Sequence, residues 1–175
     1  MRHGRPLVDP TRPAHEWRLD PVYDDDVRAL RDRLPAEGRW FSSPEPKAFM
    51  TARLLTEEPI EVDADLREHE RDTSHWIDDF DAVMARAFAQ PERPAYDGWV
   101  PLVEMQQRVV RVVAELLTRP GETDLVLVGH ATSWACVIAE LAGRAPEFAT
   151  WANLTMPDVV ECANPRAGVR CWVHE

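Results

Sequence analysis

Apolar residues in this chain recur either at helical spacing or as short unbroken runs. Val27, Leu30 and Leu34, behind the acidic turn Asp24-Asp25-Asp26, predict a helix over 24–34. Trp40 to Ser43 reads as a short strand that runs into a helix, with Ser43 as cap and Pro44 at the first helical position. That helix continues to about Leu55, because Pro46 still falls in the first turn. Ile60 to Leu66 predicts a second strand. Phe80, Val83, Met84, Ala87 and Phe88 mark a helix over 77–90 that stops at Pro91. Leu102, Met105, Val109, Val112, Val113 and Leu116 mark a longer one, ended by Pro120-Gly121. The unbroken run Leu125 to Val128 predicts a strand buried on both faces, as in a parallel sheet. Trp134, Ile138 and Leu141 continue as a helix to Gly143. Residues 159–162 and 169–173 read as a terminal pair of strands around Asn164-Pro165, and residues 9–21 and 91–98 as loop. Strands alternating with helices predict an α/β fold, three-layered, with a mostly parallel central sheet and helices on both faces.

The length of 175 residues predicts one domain, large enough to fold without a disulfide or metal staple. A net charge of −11 excludes non-specific binding to nucleic acid or to an anionic membrane surface. An anion site must therefore be locally basic. Cys136, Cys162 and Cys171 form no C-x-x-C and are expected to be buried, inert thiols. The N-terminus lacks the apolar stretch of a signal peptide, and no run approaches a membrane span, so a cytoplasmic protein is expected.

Two places carry chemistry. The buried run ends in Gly129-His130, and a helix starts at once. The N–H groups of Ala131, Thr132 and Ser133 lack intrahelical acceptors and lie at the positive end of the helix dipole, so His130 stands before a ready anion site. The alternative is a histidine that only caps the helix and packs. The other place is Arg2-His3-Gly4. Arginine offers a fork of donors to phosphate oxygens, histidine is a neutral nucleophile near pH 7, and glycine admits close approach. Alone, this triplet also reads as a frayed basic end.

Taken together, Arg2-His3-Gly4, Ser42-Ser43-Pro44 with Lys47-Ala48 and Thr51-Ala52, Leu66-Arg67-Glu68, and Leu127-Val128-Gly129-His130 resemble the histidine phosphatase superfamily, with its phosphoglycerate-mutase-like fold. The resemblance covers residues 2 to about 142. It implies a phosphatase acting on a small phosphomonoester, with no cofactor and no metal. His3 would attack phosphorus and become phosphohistidine. Arg2, Gly4, Lys47, His130 and Ala131 would surround the phosphate, and Glu68 would protonate the leaving group. Glu70 competes for that last role.

Three features depart from the family pattern. Lys47 stands where the family has a second arginine, which keeps the charge and loses the bidentate fork. Arg5 compensates if its side chain turns inward, and is otherwise a surface residue. Ala131 replaces a common glycine. The family also has an apolar strand before R-H-G, and no such run precedes Arg2 here. A start assigned inside that strand is the expected reason. Its absence predicts unpaired strand edges and a mobile His3. Tyr96, Trp99 and Glu104 are candidates for the pocket mouth, and Trp17 or Trp76 for a cover, with ordinary packing as the alternative for each. Two other functions stay open: a degenerate member that binds a phosphorylated ligand or partner without turnover, and a phosphatase for phosphohistidine proteins. Mutase chemistry ranks below hydrolysis, because mutases carry longer inserts that close the pocket.

Overall fold

The computed structural model describes residues 1–73, 75–119, 124–162 and the backbone of 171–173. Three parallel strands form the sheet: β1 (Gly38–Ser42), β2 (Ile60–Val62) and β3 (Asp124–Val128), in the order β2-β1-β3. Trp40 is opposite Ile60 on one side and Val126 on the other. Side chains alternate across a sheet, so each strand serves two cores. Trp40, Val126 and Val128 pack with Val27 of α1 (Asp24–Arg28) and with Ala48, Ala52 and Leu55 of α2 (Pro46–Leu55). Phe41, Leu125 and Leu127 face the other way. They meet α3 (Phe80–Ala89), α4 (Leu102–Thr118), α5 (Ala131–Leu141) and α6 (Phe148–Asn153). The sheet is therefore covered on both faces, a three-layer α/β/α arrangement. β4 (Val160–Cys162) and β5 (Cys171–Val173) form a separate antiparallel pair.

The N-terminal residues take a place in this sheet. The Met1 amino group donates to the Leu127 carbonyl at 2.8 Å, Gly129 N–H donates to Met1 O at 3.0 Å, and His3 N–H donates to Gly129 O at 2.9 Å. On the far side Arg2 N–H donates to Asp158 O at 2.8 Å. Arg2 thus bridges Gly129 in parallel and Asp158 in antiparallel sense. The expected mobile terminus is not seen: Met1 to His3 are held from both sides at the carboxyl end of β3.

Several elements differ from the sequence reading. The first helix ends at Arg28 and resumes as a 3-10 turn over Arg31–Arg33. α2 starts at Pro46 with Glu45 at the N-cap, because Ser43 Oγ instead accepts from Glu45 N–H within a turn. The second strand stops at Val62; Asp63 then caps a 3-10 turn, Ala64–Leu66. α3 begins three residues later than expected, at Phe80 rather than Ile77. Leu125 and Leu127 are only half-buried, while Val126 and Val128 are buried. α6 lies where the spacing predicts no element. Cys136 is buried and free, as expected, but Cys162 lies exposed on β4 and is disulfide-bonded. Pro120-Gly121 and Asn164-Pro165 lie outside the described residues.

Leu66 is fully buried in the larger core and ends the turn that leads into Glu68. Leu66→Ala is expected to cost about 2–5 kcal/mol of stability, read from urea unfolding. A cost below about 1 kcal/mol would mean that this loop is not anchored through its core contact.

Candidate active site

The site lies where β1, β3 and the N-terminal segment end, the usual ligand position in an open α/β sheet. Strand β1 ends at Ser42 and leads into Ser43, the turn after it delivers Glu45, and the first turn of α2 delivers Lys47. Strand β3 delivers Gly129 and His130, and α5 starts behind them. Gly4 is needed for close packing: a Cβ there would come within 2.6 Å of Val27 Cγ2 and 2.7 Å of Leu19 Cδ1. Its N–H donates to Thr51 Oγ1 at 3.0 Å, and Thr51 in turn donates to the Lys47 carbonyl at 2.7 Å. The Thr51 of the S-S-P segment therefore fixes the R-H-G turn directly.

His3 is buried, and its Nδ1 lies 2.6 Å from the Gly4 carbonyl. A carbonyl only accepts, so Nδ1 carries the ring proton and Nε2 keeps its lone pair. The ring meets His130 edge-on at a centroid distance of 5.1 Å. Burial, and then the neighbouring His130 and Lys47, hold His3 well below its ordinary pKa, so it is neutral.

His130 is fully buried, and its Nε2 lies 2.8 Å from Ser43 Oγ and 3.5 Å from Glu45 Oε1. Ser43 Oγ already accepts from Glu45 N–H, so its own proton is available to Nε2. Nδ1 would then carry the ring proton, and among the described residues it has no partner. Burial lowers the His130 pKa to about 3, outweighing the opposing pull of Glu68. Arg2 is anchored by Nη1 on the Leu154 carbonyl, and its buried Nε is likewise without a partner among the described residues.

Lys47 is buried, but its Nζ is committed to Glu45 Oε2 at 2.5 Å and the Ala14 carbonyl at 2.7 Å. Sequence reasoning missed Glu45, which also accepts from Glu68 N–H through Oε1 at 2.7 Å. It occupies a variable place in the S-S-P segment, where nothing local marks a residue as buried. Glu68 is half-buried. Burial raises its pKa, but Arg71 above all, then His130 and the His69 N–H, outweigh burial and bring it to about 2. Glu70 is more exposed, and its carboxylate is taken by Arg67. Arg5 is exposed, with its guanidinium 4.8 Å from the Tyr23 ring centroid.

His3, Arg2, Lys47, Glu68, Arg71 and Ala131 share one cavity of about 2050 Å³. Trp17, Trp76 and Trp99 also line it, whereas Tyr96 and Glu104 do not. Trp99 is buried against His69, whose Nε2–H donates to the Val100 carbonyl at 2.7 Å. Among the described residues no three His, Cys, Asp or Glu side chains converge as metal ligands would, and no helix is long and apolar enough to cross a membrane.

His3, His69 and His130 all have folded pKa values below the ordinary 6.5, those of His69 and His130 at about 4 and 3. The unfolded chain takes up protons that the folded one refuses. Stability is thus full above pH 6.5 and falls as pH drops toward the folded values, by up to about 1.4 kcal/mol per pH unit per imidazole. Urea midpoints at pH 7, 6 and 5 should fall in that order. An unchanged midpoint would show that these rings titrate normally.

The comparisons with known proteins agree with this geometry. Residues 1–167 match the family model described as histidine phosphatase superfamily (branch 1). Among curated proteins there is no significant match. Solved structures with the same fold include mycobacterial hydrolase 1, at 24% identity and TM-score 0.73 over 98% of this chain and 93% of that one. The mycobacterial glucosyl-3-phosphoglycerate phosphatase, in complex with inorganic phosphate, has 23% identity and TM-score 0.72 over 99% of this chain and 93% of that one. YhfR of Bacillus stearothermophilus has 20% identity and TM-score 0.74 over 98% and 93%. With the family model spanning nearly all of the chain, and the two histidines of its motifs brought edge to face at the end of the sheet, this protein belongs to the histidine phosphatase superfamily, branch 1.

Proposed function

We propose that the protein hydrolyses a phosphomonoester through a phosphohistidine on His3, without a metal. The observation that carries this reading is the hydrogen bond from His3 Nδ1 to the Gly4 carbonyl, which leaves Nε2 as a neutral nucleophile lining the cavity. Nε2 attacks phosphorus as the bond from phosphorus to the leaving oxygen breaks. Among the described residues Arg2 Nε–H and His130 Nδ1–H have no partner; with the first N–H groups of α5 they would serve the phosphoryl oxygens, His130 from behind His3, since it does not itself line the cavity. Glu68 gives its proton to the leaving oxygen. Water then attacks phosphorus, the phosphorus–nitrogen bond breaks, and Glu68 takes the proton of the water.

Glu68 is ionised at neutral pH while Arg71 dominates its surroundings. A phosphoryl dianion beside Arg2 and His130 offsets that field and raises Glu68 toward the range of a general acid. Its place in the cavity supports Glu68 over Glu70, whose carboxylate is held by Arg67. The wide cavity supports a leaving group larger than the small one expected from the sequence. A second reading, binding without turnover, is favoured by one observation: Glu45 neutralises Lys47 inside the site.

Hydrolysis of p-nitrophenyl phosphate in EDTA tests the proposal. Wild type should turn over, and His3→Ala should lose about three orders of magnitude or fall to background. Glu68→Gln should slow an alkyl phosphate by about 10²–10⁴-fold and p-nitrophenyl phosphate much less, because nitrophenolate leaves without a proton. Phosphate binding with no turnover in wild type would select the second reading.

A further inference from the structure

The proposed phosphoryl site has a charge deficit. Near neutral pH His3 and His130 are uncharged and Lys47 is neutralised by Glu45, so of the residues expected around the phosphate from the sequence Arg2 alone brings an uncompensated charge. Other arginines nearby are occupied. Arg67 is bound to Glu70 and Asp65, and Arg108 donates to the carbonyls of Asp65, Arg67 and Glu68. Arg5 lies over Tyr23 in solvent.

Arg71 differs from all of these. Its guanidinium rests on two aromatic rings, 4.6 Å from the Trp99 centroid and 5.0 Å from the Phe80 centroid. Nη2 donates to Thr132 Oγ1 at 3.3 Å and lies 3.6 Å from Met84 Sδ. Thr132 is the second residue of α5, directly after Ala131, whose position lines the cavity. Nε is buried without a partner, and no carboxylate among the described residues forms an ion pair with Arg71. A guanidinium has five N–H donors, and the recorded bonds use Nη2 alone. Buried charges are as a rule paired. Here a half-buried cation that no carboxylate contacts among the described residues, and that Glu68 balances only through space, is clamped between aromatic walls at the edge of an anion site, next to a helix N-terminus.

We infer that Arg71 is the second guanidinium of the phosphoryl site, supplying from the loop after Glu68 the charge and donors that Lys47 cannot give. The inference rests on the phosphate-binding part of the proposed function and not on turnover. Cation–π contact with Trp99 and Phe80 fixes the guanidinium plane without consuming its donors. Arg71 also acts on Glu68, since its charge is the largest of those that favour the ionised carboxylate, so phosphate bound at Arg71 would relax its hold on the acid.

The test is binding of inorganic phosphate to the full chain, read as competitive inhibition and as a phosphate-dependent rise in melting temperature. Arg71→Gln should weaken phosphate about 30-fold, as for loss of a charge-assisted hydrogen-bond donor. Arg71→Lys, which keeps the charge and loses the fork, should recover part of that loss. The double variant Glu45→Gln/Lys47→Met removes the internal pair as a unit, and its effect should be at least about tenfold smaller than that of Arg71→Gln. A loss below about tenfold in a folded Arg71→Gln overturns the inference, as does a loss confined to substrates with a second anionic group. If Arg71→Gln does not fold, Arg71→Lys decides: a loss of less than about threefold overturns the inference and a larger one supports it. Phosphate binding in wild type without turnover would sink the activity while leaving this test intact. Absence of phosphate binding in wild type would sink both.

Discussion

Arg2 is bonded through its backbone to Asp158 on one side, its neighbours Met1 and His3 are bonded to Gly129 on the other, and the site depends on this clamp. A nucleophile works only if its attack geometry is set before the substrate arrives. Residues 1–4 borrow rigidity from the end of β3 and from Thr51 of α2, which holds Gly4 by its N–H. Gly4 serves the same end by close packing: Val27 and Leu19 close over it, so a Cβ there would force their side chains to move. The chemistry of His3 thus rests on packing at α1 and hydrogen bonds from β3, both outside the R-H-G triplet.

Charge balance sets the second constraint. The pocket brings Arg2, Lys47, Arg71 and His3 together, with His130 packed against His3 behind them, in a protein of net charge −11. Unrelieved, such a cluster would repel itself. The fold relieves it by keeping both imidazoles neutral through burial, by giving Lys47 an internal counterion in Glu45, and by holding Glu68 ionised near Arg71. Glu45 has a further effect. It ties the S-S-P turn to the Glu68 backbone at 2.7 Å, so the loop bearing the proposed acid is registered against the loop bearing Lys47.

The motif residues were legible because their chemistry is local. A glycine after a histidine, a serine before a proline and a histidine before a helix each predict a backbone geometry from neighbours in sequence. The alternation of strands and helices was legible for a similar reason, since period and burial are linked by the geometry of each element. Errors came where the local signal was short or conflicting. α6 offers only Phe148 and Trp151 at helical spacing, too few positions to show a period. The strand over 60–66 broke at Asp63 because its side chain accepts the Asp65 N–H and starts a 3-10 turn.

Sequence alone determined the α/β class from periodicity, His3 and His130 as candidates from the chemistry of a few adjacent residues, and Glu68 only through the family resemblance that the motifs carry. Tertiary structure decided which cations are free. Lys47 looked available and is bound to Glu45, whereas Arg71, in a charged run that reads as solvated, is stacked on Trp99 and Phe80. Whether a charge is spent or spare depends on partners brought from distant segments, and no spacing along the chain records them.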